Sequence, residues 1–305
     1  MRYIFFINPV AGKGEKKELR TAIDRYFAEN GGEYKVYITR FAGDAEQLAR
    51  EEAQKGEPLR IFACGGEGTC YEVINRVIGF DNVEVGVIPC GSANDFLKFF
   101  GSRDLFCDIS AQLEGESAPM DLIKAGERYC INGCSVGMDA MVARDMHIFK
   151  RLPWVGGSLA YKLAIVKVFL SKLGVSINLS IDDKPMGKIS CLFAVIANAP
   201  FYGGGYMGAP DAVPDDGHLD FTLVDVVSRP KILKFLPLYE NGRHGGLDCC
   251  TLKTCHSMEF SSDIAIPVNL DGEIVEAKEM RFEIVKKGIS FVIPRGVKHK
   301  ILTKV

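Results

Sequence analysis

Residues 1 to about 125 alternate between short apolar segments of strand length and amphipathic segments of helix length, which restricts the fold more than any other feature. The expected strands cover residues 4–7, 34–39, 60–64 and 85–88, and the first two helices cover residues 16–29 and 44–54. Strands that alternate with helices are typical of a parallel sheet, because each helix returns the chain to the starting edge. Residues 4–7 and 85–88 are almost wholly apolar, as expected for strands covered by helices on both faces. We therefore predict an α/β N-terminal domain with a parallel sheet.

Beyond about residue 126 the chain changes to alternation of polar and apolar residues, which is typical of antiparallel strands. The expected strands cover residues 175–181, 219–224, 258–260, 281–285 and 289–293, with one helical insert at about 159–173. We predict an α/β domain over 1–125, a mainly antiparallel β-sandwich over 126–293, and a C-terminal tail over 294–305 that returns to the first domain. No long linker separates the domains, so a ligand cleft between them is expected.

The composition excludes several classes of protein. A formal net charge of -2 over 305 residues provides no basic field, so no nucleic-acid partner is expected. The apolar run at the amino terminus is shorter than the core of a signal peptide, and the apolar stretch 163–170 is interrupted by Lys167. In the absence of an export signal, the 10 cysteines are expected to be reduced and the protein to be cytoplasmic.

Three turns rich in glycine and small polar residues each follow an expected strand and precede an expected helix. They are Asn8-Pro9-Val10-Ala11-Gly12-Lys13-Gly14, Gly65-Gly66-Glu67-Gly68-Thr69, and the segment from Pro89 to Phe96. The carboxyl ends of parallel strands meet at one sheet edge, where helix starts direct backbone N–H groups at a phosphate. Neither glycine-rich loop matches the Walker or the dinucleotide pattern. The alternative to a phosphate site is a set of ordinary tight turns.

The order of these turns resembles the nucleotide-loop motifs of the diacylglycerol kinase catalytic family, which includes bacterial lipid kinases and the related sphingosine and ceramide kinases. The resemblance continues through the second domain and covers nearly the whole chain. It is carried there by Asn132, Gly137-Met138-Asp139-Ala140, residues 198–205, residues 210–220 and Asn269-Leu270-Asp271-Gly272-Glu273. Each motif is weak alone, but the set in this order is specific. It implies that the α/β domain is NAD kinase/phosphofructokinase-like.

The resemblance also implies an ATP-dependent kinase that uses Mg2+ and phosphorylates a lipid hydroxyl, with diacylglycerol as the default acceptor. The implied ATP contacts are Asn8, Pro9, Gly12, Thr39, Gly65, Gly66, Glu67, Gly68, Thr69, Ser92 and Asn94. The implied proton acceptor is Glu273, with Asp271 as the other candidate, although Asp-Gly-Glu by itself is typical of a hairpin turn. A structural magnesium maps to Val213, Asp216 and His218, of which Asp216 offers the hard oxygen that magnesium prefers.

Two positions depart from the family pattern. The family usually has aspartate where this chain has Glu67, so the carboxylate is kept but reaches one methylene farther. If that group helps catalysis by holding magnesium against ATP, the longer reach shifts the metal or weakens turnover. Ser92 replaces the usual threonine and keeps the hydroxyl. Two alternatives stay open: an NAD kinase-like small-molecule kinase, and a nucleotide- or lipid-binding regulatory protein with weakened catalysis. The third turn favours the lipid branch over the NAD kinase branch.

Residues 150–154 and 162–172 mix basic, aromatic and aliphatic side chains. One interpretation is a surface that lies on an anionic bilayer, which would bring the protein to the inner face of the membrane. The other is a helix packed in the core with lysines that reach to solvent. The expected partner is a lipid substrate, with peripheral membrane contact under the first interpretation, and the sequence leaves a homodimer open.

Overall fold

The computed structural model describes residues 1–12, 16–90, 94–150, 152, 154–155 and 157–298, and the chain divides into two compact units. Unit 1 contains Met1–Leu122 together with the chain from Lys286 onwards, and unit 2 contains Ile123–Val285. The chain returns to unit 1 at Lys286, which is earlier than the predicted tail at 294, because the end of the last strand already belongs to unit 1.

Unit 1 follows the predicted alternation of strands and helices. Its elements are β1 (Arg2–Ile7), α1 (Lys16–Asn30), β2 (Glu33–Ile38), α2 (Asp44–Ala53), β3 (Leu59–Gly65), α3 (Glu67–Val77), β4 (Val83–Pro89), a 3-10 helix (Asp95–Phe100), α4 (Arg103–Cys107), α5 (Ile109–Leu113) and the first part of β5 (Glu116–Ala125), which ends in unit 2. The strand order β4-β3-β1-β2 is parallel throughout, and Ser290 and Phe291 extend it in parallel beside β4. The predicted parallel sheet is therefore confirmed.

The core of unit 1 forms around β1. Its last four residues, Ile4 to Ile7, are fully buried, as an apolar run that is covered on both faces requires. Phe5 stacks on Phe62 of β3 with ring centroids 5.0 Å apart. Helix α1 adds Ile23 and Phe27 to the same cluster. This packing holds the carboxyl ends of the central strands in a fixed register.

Unit 2 is mainly antiparallel. Its elements are β6 (Arg128–Cys130), β7 (Gly133–Gly137), α6 (Met138–Phe149), α7 (Gly157–Leu170), β8 (Val175–Ile181), β9 (Lys184–Ala197), β10 (Phe201–Tyr202), β11 (Tyr206–Met207), β12 (Leu219–Asp225), α8 (Arg229–Glu240), β13 (Cys250–Cys255), β14 (Ser257–Leu270) and β15 (Glu273–Ile293). Strands β9 and β14 each pair with both β7 and β8, and β12 and β13 continue outward from β9. The predicted β-sandwich is confirmed.

Unit 2 contains more helix than the sequence pattern predicts. The expected insert corresponds to α7, whereas α6 and α8 are not anticipated by the periodicity of their residues. Helix α8 has Pro237 in its interior, which lowers its intrinsic propensity. Burial of Ile232, Phe235 and Tyr239 against the sheet stabilises it instead. Tertiary packing thus overrides the local preference.

The ten cysteines are all free thiols. Several of them, including Cys64, Cys130 and Cys191, are buried in strands and pack as small apolar residues. Within the parts of the chain that the structure describes, every helix falls short of the length or the apolar composition that crossing a bilayer requires.

Candidate active site

The segments that follow β1, β3 and β4 begin at one edge of the unit 1 sheet, because these strands are parallel neighbours. Ile7 is level with Cys64 in β3, and Gly65 is level with Pro89 in β4. Thr39, at the end of β2, is buried beside them, and its N–H donates to the Ile7 carbonyl at 3.0 Å. Several residues of the predicted site lie outside the described residues: Lys13, Gly14, Gly91, Ser92 and Ala93.

Asn8 joins the first turn to the second. Its side-chain Nδ2 donates to the Thr69 hydroxyl at 3.1 Å, and its Oδ1 accepts the N–H of Val10 at 3.0 Å. Pro9 and Gly12 follow on the exposed part of the turn, where Gly12 adopts a left-handed φ of 67° that favours glycine. Asn8 therefore sets the path of the first turn and the rotamer of Thr69 together.

Glycine is required where β3 passes into α3. A Cβ atom on Gly65 would lie 2.3 Å from the Thr69 hydroxyl oxygen, so any side chain here would displace that contact. Gly66 is the N-cap of α3, has no side-chain cap, and has open space around it. Gly68 follows in the first turn of the helix. Backbone N–H groups at such a helix start carry partial positive charge, which suits a phosphate.

Glu67 connects the second turn to the third. Its Oε1 accepts the backbone N–H of Asp95 at 3.0 Å and that of Asn94 at 3.4 Å. Burial raises the pKa of Glu67, and these N–H donors oppose the effect in part. Asn94 has a left-handed φ of 107°, and its Nδ2 donates to the Gly65 carbonyl at 3.1 Å. One oxygen of the carboxylate that the sequence assigns to magnesium or ATP is thus engaged in holding two turns together.

In unit 2, Asp271 and Gly272 form the two-residue turn between β14 and β15, with φ values of 50° and 97°. The buried Asp271 carboxylate accepts backbone N–H groups from Ile131 at 2.6 Å, Asn132 at 3.1 Å and Gly133 at 2.7 Å. The neighbouring Glu273 is exposed at the start of β15. Of the two proposed proton acceptors, the Asp271 carboxylate is engaged in hydrogen bonds within the fold, whereas the Glu273 carboxylate is accessible to solvent.

The segment that contains the proposed magnesium ligands is acidic. The Asp216 carboxylate accepts the N–H of His218 at 2.9 Å, while the Val213 carbonyl accepts two N–H groups within the turn at 2.9 and 3.3 Å. Burial, together with the charges of Asp216 and Asp211, raises the pKa of Asp220 to about 6. The Asp216 carboxylate offers the hard oxygen that a magnesium ion prefers, whereas the Val213 carbonyl is already engaged. Among the described residues, no three acidic, histidine or cysteine side chains are grouped as a metal site.

Asp139 is a functional candidate that the sequence reasoning did not assign. It lies in the first turn of α6, and both of its carboxylate oxygens are buried without a hydrogen-bond partner among the described residues. Burial raises the pKa of Asp139 to about 7, and the nearby Ser135 hydroxyl and Ala140 N–H lower it only in part. A buried carboxylate with a strongly perturbed pKa is a frequent feature of functional sites. Its residue type in the Gly-x-Asp-Ala motif was visible in the sequence, but its burial was not.

Two family models match the chain in succession. The diacylglycerol kinase catalytic domain matches residues 2–125, and the YegS C-terminal NAD kinase beta sandwich-like domain matches residues 132–293. The first match includes all three turns at the sheet edge. The second includes Asp139, the acidic segment and the β14–β15 turn.

Known proteins resemble the chain over most of its length. A protein of Shewanella frigidimarina described as "Probable lipid kinase YegS-like" is 31% identical over 240 residues, which cover 77% of this chain and 76% of the relative. A diacylglycerol kinase of Bacillus subtilis is 26% identical over 292 residues, 94% of this chain and 95% of the relative.

Solved structures show the same fold. The crystal structure of a diacylglycerol kinase from Bacillus anthracis aligns with a TM-score of 0.72 at 17% identity and covers 97% of this chain and 98% of its own. An NAD kinase from Archaeoglobus fulgidus in complex with ATP aligns with a TM-score of 0.50 at 13% identity, and the alignment covers 97% of this chain and 94% of the NAD kinase. At these identities the likeness concerns the fold alone.

Proposed function

Because this chain belongs to the diacylglycerol kinase catalytic-domain family, we propose that it transfers the γ-phosphoryl group of ATP to a lipid hydroxyl, with diacylglycerol as the default acceptor. The observation that carries the proposal is the meeting of three turns at one sheet edge, joined by the Asn8–Thr69 and Glu67–Asp95 hydrogen bonds. The relatives support the class of reaction, and the acceptor is the finer part of the proposal.

The residues at this edge fit a nucleoside triphosphate. Glycine at 65 and 66 leaves the start of α3 unobstructed, so that its N–H groups can bind phosphate oxygens. When bound, ATP supplies the transferred phosphoryl group, and Mg2+ neutralises part of its charge. The proposed contacts are Asn8, Pro9, Gly12, Thr39, Gly65, Gly66, Gly68, Thr69 and Asn94, together with Ser92 outside the described residues. Glu67 positions the third turn relative to the second.

Glu273 is the proposed proton acceptor for the lipid hydroxyl. An exposed carboxylate can accept a proton from an alcohol that is aligned for phosphoryl transfer. Asp271 supports it indirectly, because its bonds to residues 131–133 hold the turn that precedes Glu273. We propose Asp216 as the main ligand of a structural Mg2+, with the charge of Asp220 nearby.

Two alternatives remain as competing proposals. An NAD kinase-like activity is supported only by a distant fold similarity, whereas the relatives named as lipid or diacylglycerol kinases are more similar and cover most of the chain. A regulatory protein with weakened catalysis was suggested by Glu67. The backbone N–H of Asp95 donates a hydrogen bond of 3.0 Å to the Glu67 carboxylate, so the longer side chain has a specific partner in the fold. This contact argues against the regulatory alternative.

The test is a transfer assay with radiolabelled ATP and a total lipid extract, followed by separation of the products. We expect a labelled lipid that comigrates with phosphatidic acid, and about a 100-fold lower rate for Glu273→Gln, the usual scale for loss of a general base. NAD is offered in parallel as an acceptor. Labelled NAD, or a labelled soluble acceptor alongside unlabelled lipid, would overturn the lipid assignment.

A further inference from the structure

Helix α7 is apolar on two faces, of which the protein covers only one. Its inner face places Ala164 and Val168 in a buried cluster with Val142 of α6. Its outer face carries four exposed aliphatic side chains that no packing inside the unit explains: Leu159 at 48% exposure, Leu163 at 37%, Val166 at 55% and Leu170 at 71%. We call these four residues the α7 stripe.

The α7 stripe is contiguous because its residues are spaced by four, three and four positions, which places them on one side of a helix. A surface helix normally has charged or polar residues there. A row of large aliphatic side chains in water instead marks a surface that is covered in function. The connection from α6 adds further exposed apolar groups, Leu152 and Trp154, and Trp154 is 98% exposed.

The charged side chains of residues 150–172 have one sign. Residues 150–172 contain five basic residues and no aspartate or glutamate: Lys150, Arg151, Lys162, Lys167 and Lys172. Lys162 is exposed and lies within one turn of Leu159 and Val166. Lys167 is partly neutralised by Asp145 at 2.8 Å. At the carboxyl end of α7, the Arg229 guanidinium donates to the carbonyls of Phe169 and Ser171 and adds another cation. Arg151 and Pro153 lie outside the described residues.

We propose that the α7 stripe is the surface by which this protein docks on an anionic lipid bilayer. The proposal deepens the proposed function and rests on it, because an enzyme that phosphorylates a membrane lipid must reach that lipid at the interface. Helix α7 has 14 residues, about 21 Å, so it can lie in the interface but is too short to cross the bilayer. A tryptophan beside such a helix is typical of the headgroup region.

Charge favours a bilayer over a second copy of the chain as the partner. Two copies that met through this stripe by a twofold axis would bring Lys162 and the flanking lysines against each other, which is unfavourable. Anionic headgroups complement the same lysines, while the aliphatic side chains enter the acyl region.

Trp154 allows a direct measurement, because it is the single tryptophan of the chain. Its emission is recorded with vesicles of phosphatidylcholine alone or with about one third phosphatidylglycerol, and binding is checked by co-sedimentation. We expect a blue shift and quenching by brominated lipid with the anionic vesicles, and at least about tenfold weaker partition to neutral ones. Leu163→Ser/Val166→Ser should weaken partition by about tenfold or more, and Lys162→Glu should reduce it specifically for anionic vesicles.

The matched control is Met186→Ser/Ile264→Ser, which removes two exposed apolar side chains from β9 and β14 and should bind vesicles as the wild type does. Thermal unfolding verifies that all variants are folded. Equal partition of the stripe variant and the wild type would overturn the proposal. The proposal would also be overturned if the wild type did not bind vesicles but formed a dimer in light scattering, and the stripe variant did not form that dimer. Transfer to a total lipid extract dispersed in detergent separates the two proposals. Its absence refutes the lipid kinase assignment, whereas its presence without vesicle binding refutes only the docking surface.

Discussion

Replacing Asp271 with asparagine separates the structural carboxylate from the proposed catalytic one, Glu273. In the wild type the Asp271 carboxylate accepts three backbone N–H groups, at 2.6, 3.1 and 2.7 Å. Asparagine presents an NH2 group where one carboxylate oxygen accepted, so at least one buried N–H loses its acceptor. A hydrogen bond to a charged group contributes about 1.5–3 kcal/mol, and the buried donor adds its own desolvation cost. We therefore expect Asp271→Asn to lower the free energy of unfolding by about 2–3 kcal/mol.

The assay is urea and thermal unfolding, combined with hydrogen exchange at residues 131–133. A loss of this size lowers the unfolding midpoint by roughly 4–10 °C for a unit of this length, and the three amides should exchange faster. The matched variant is Glu273→Gln, which changes an exposed carboxylate two residues away. It should unfold within about 0.5 kcal/mol of the wild type while losing phosphoryl transfer. This division of roles would be refuted if Asp271→Asn had the stability and the amide exchange rates of the wild type but had lost phosphoryl transfer.

Three further predictions concern the remaining carboxylates. Glu67→Asp should lose the bond to the Asp95 N–H and cost about 1–2 kcal/mol in chemical unfolding; higher transfer activity than the wild type would instead support the regulatory alternative. Millimolar Mg2+ should raise the unfolding midpoint of the wild type relative to EDTA, and Asp216→Asn should remove most of that increase; an equal increase in both would contradict the site. Asp139 has a pKa of about 7 in the fold against 3.8 in the unfolded chain, so the native state binds the extra proton and stability falls as pH rises from about 4 to 7. Asp139→Asn should therefore be more stable than the wild type at pH 8, by at most about 4 kcal/mol, with the difference shrinking towards pH 4; a difference that does not change with pH would contradict the burial argument.

The local sequence was sufficient for most elements of unit 1. Residues 4–7 of β1 include no polar side chain, so the sequence predicted burial on both faces of the strand there. The turn at Asp271 and Gly272 was likewise recognisable, because this pair favours the left-handed conformations that a two-residue hairpin needs. Helix α8 could not be predicted in this way, since Pro237 weakens its propensity and its stability comes from contacts with the sheet.

The sequence indicated which residue types belong to the candidate site, but it did not indicate the hydrogen-bond partners or the burial of several of them. The sequence predicted that Glu67 is an acidic residue in a phosphate-binding turn, whereas its partner, the N–H of Asp95, comes from a different turn of the sheet edge. Asp139 appeared as one member of a short motif, and nothing in that motif indicates that both carboxylate oxygens are buried.

The sequence by itself determined most of the strands and helices of unit 1, because backbone preferences and apolar spacing act over a few residues. The tertiary structure decided which carboxylates are engaged and which are exposed. The Asp271 carboxylate accepts hydrogen bonds from the N–H groups of residues 131–133, about 140 positions earlier in the chain, whereas the Glu273 side chain is exposed. Such pairings depend on strand register across the sheet, and burial then sets the strength of each interaction.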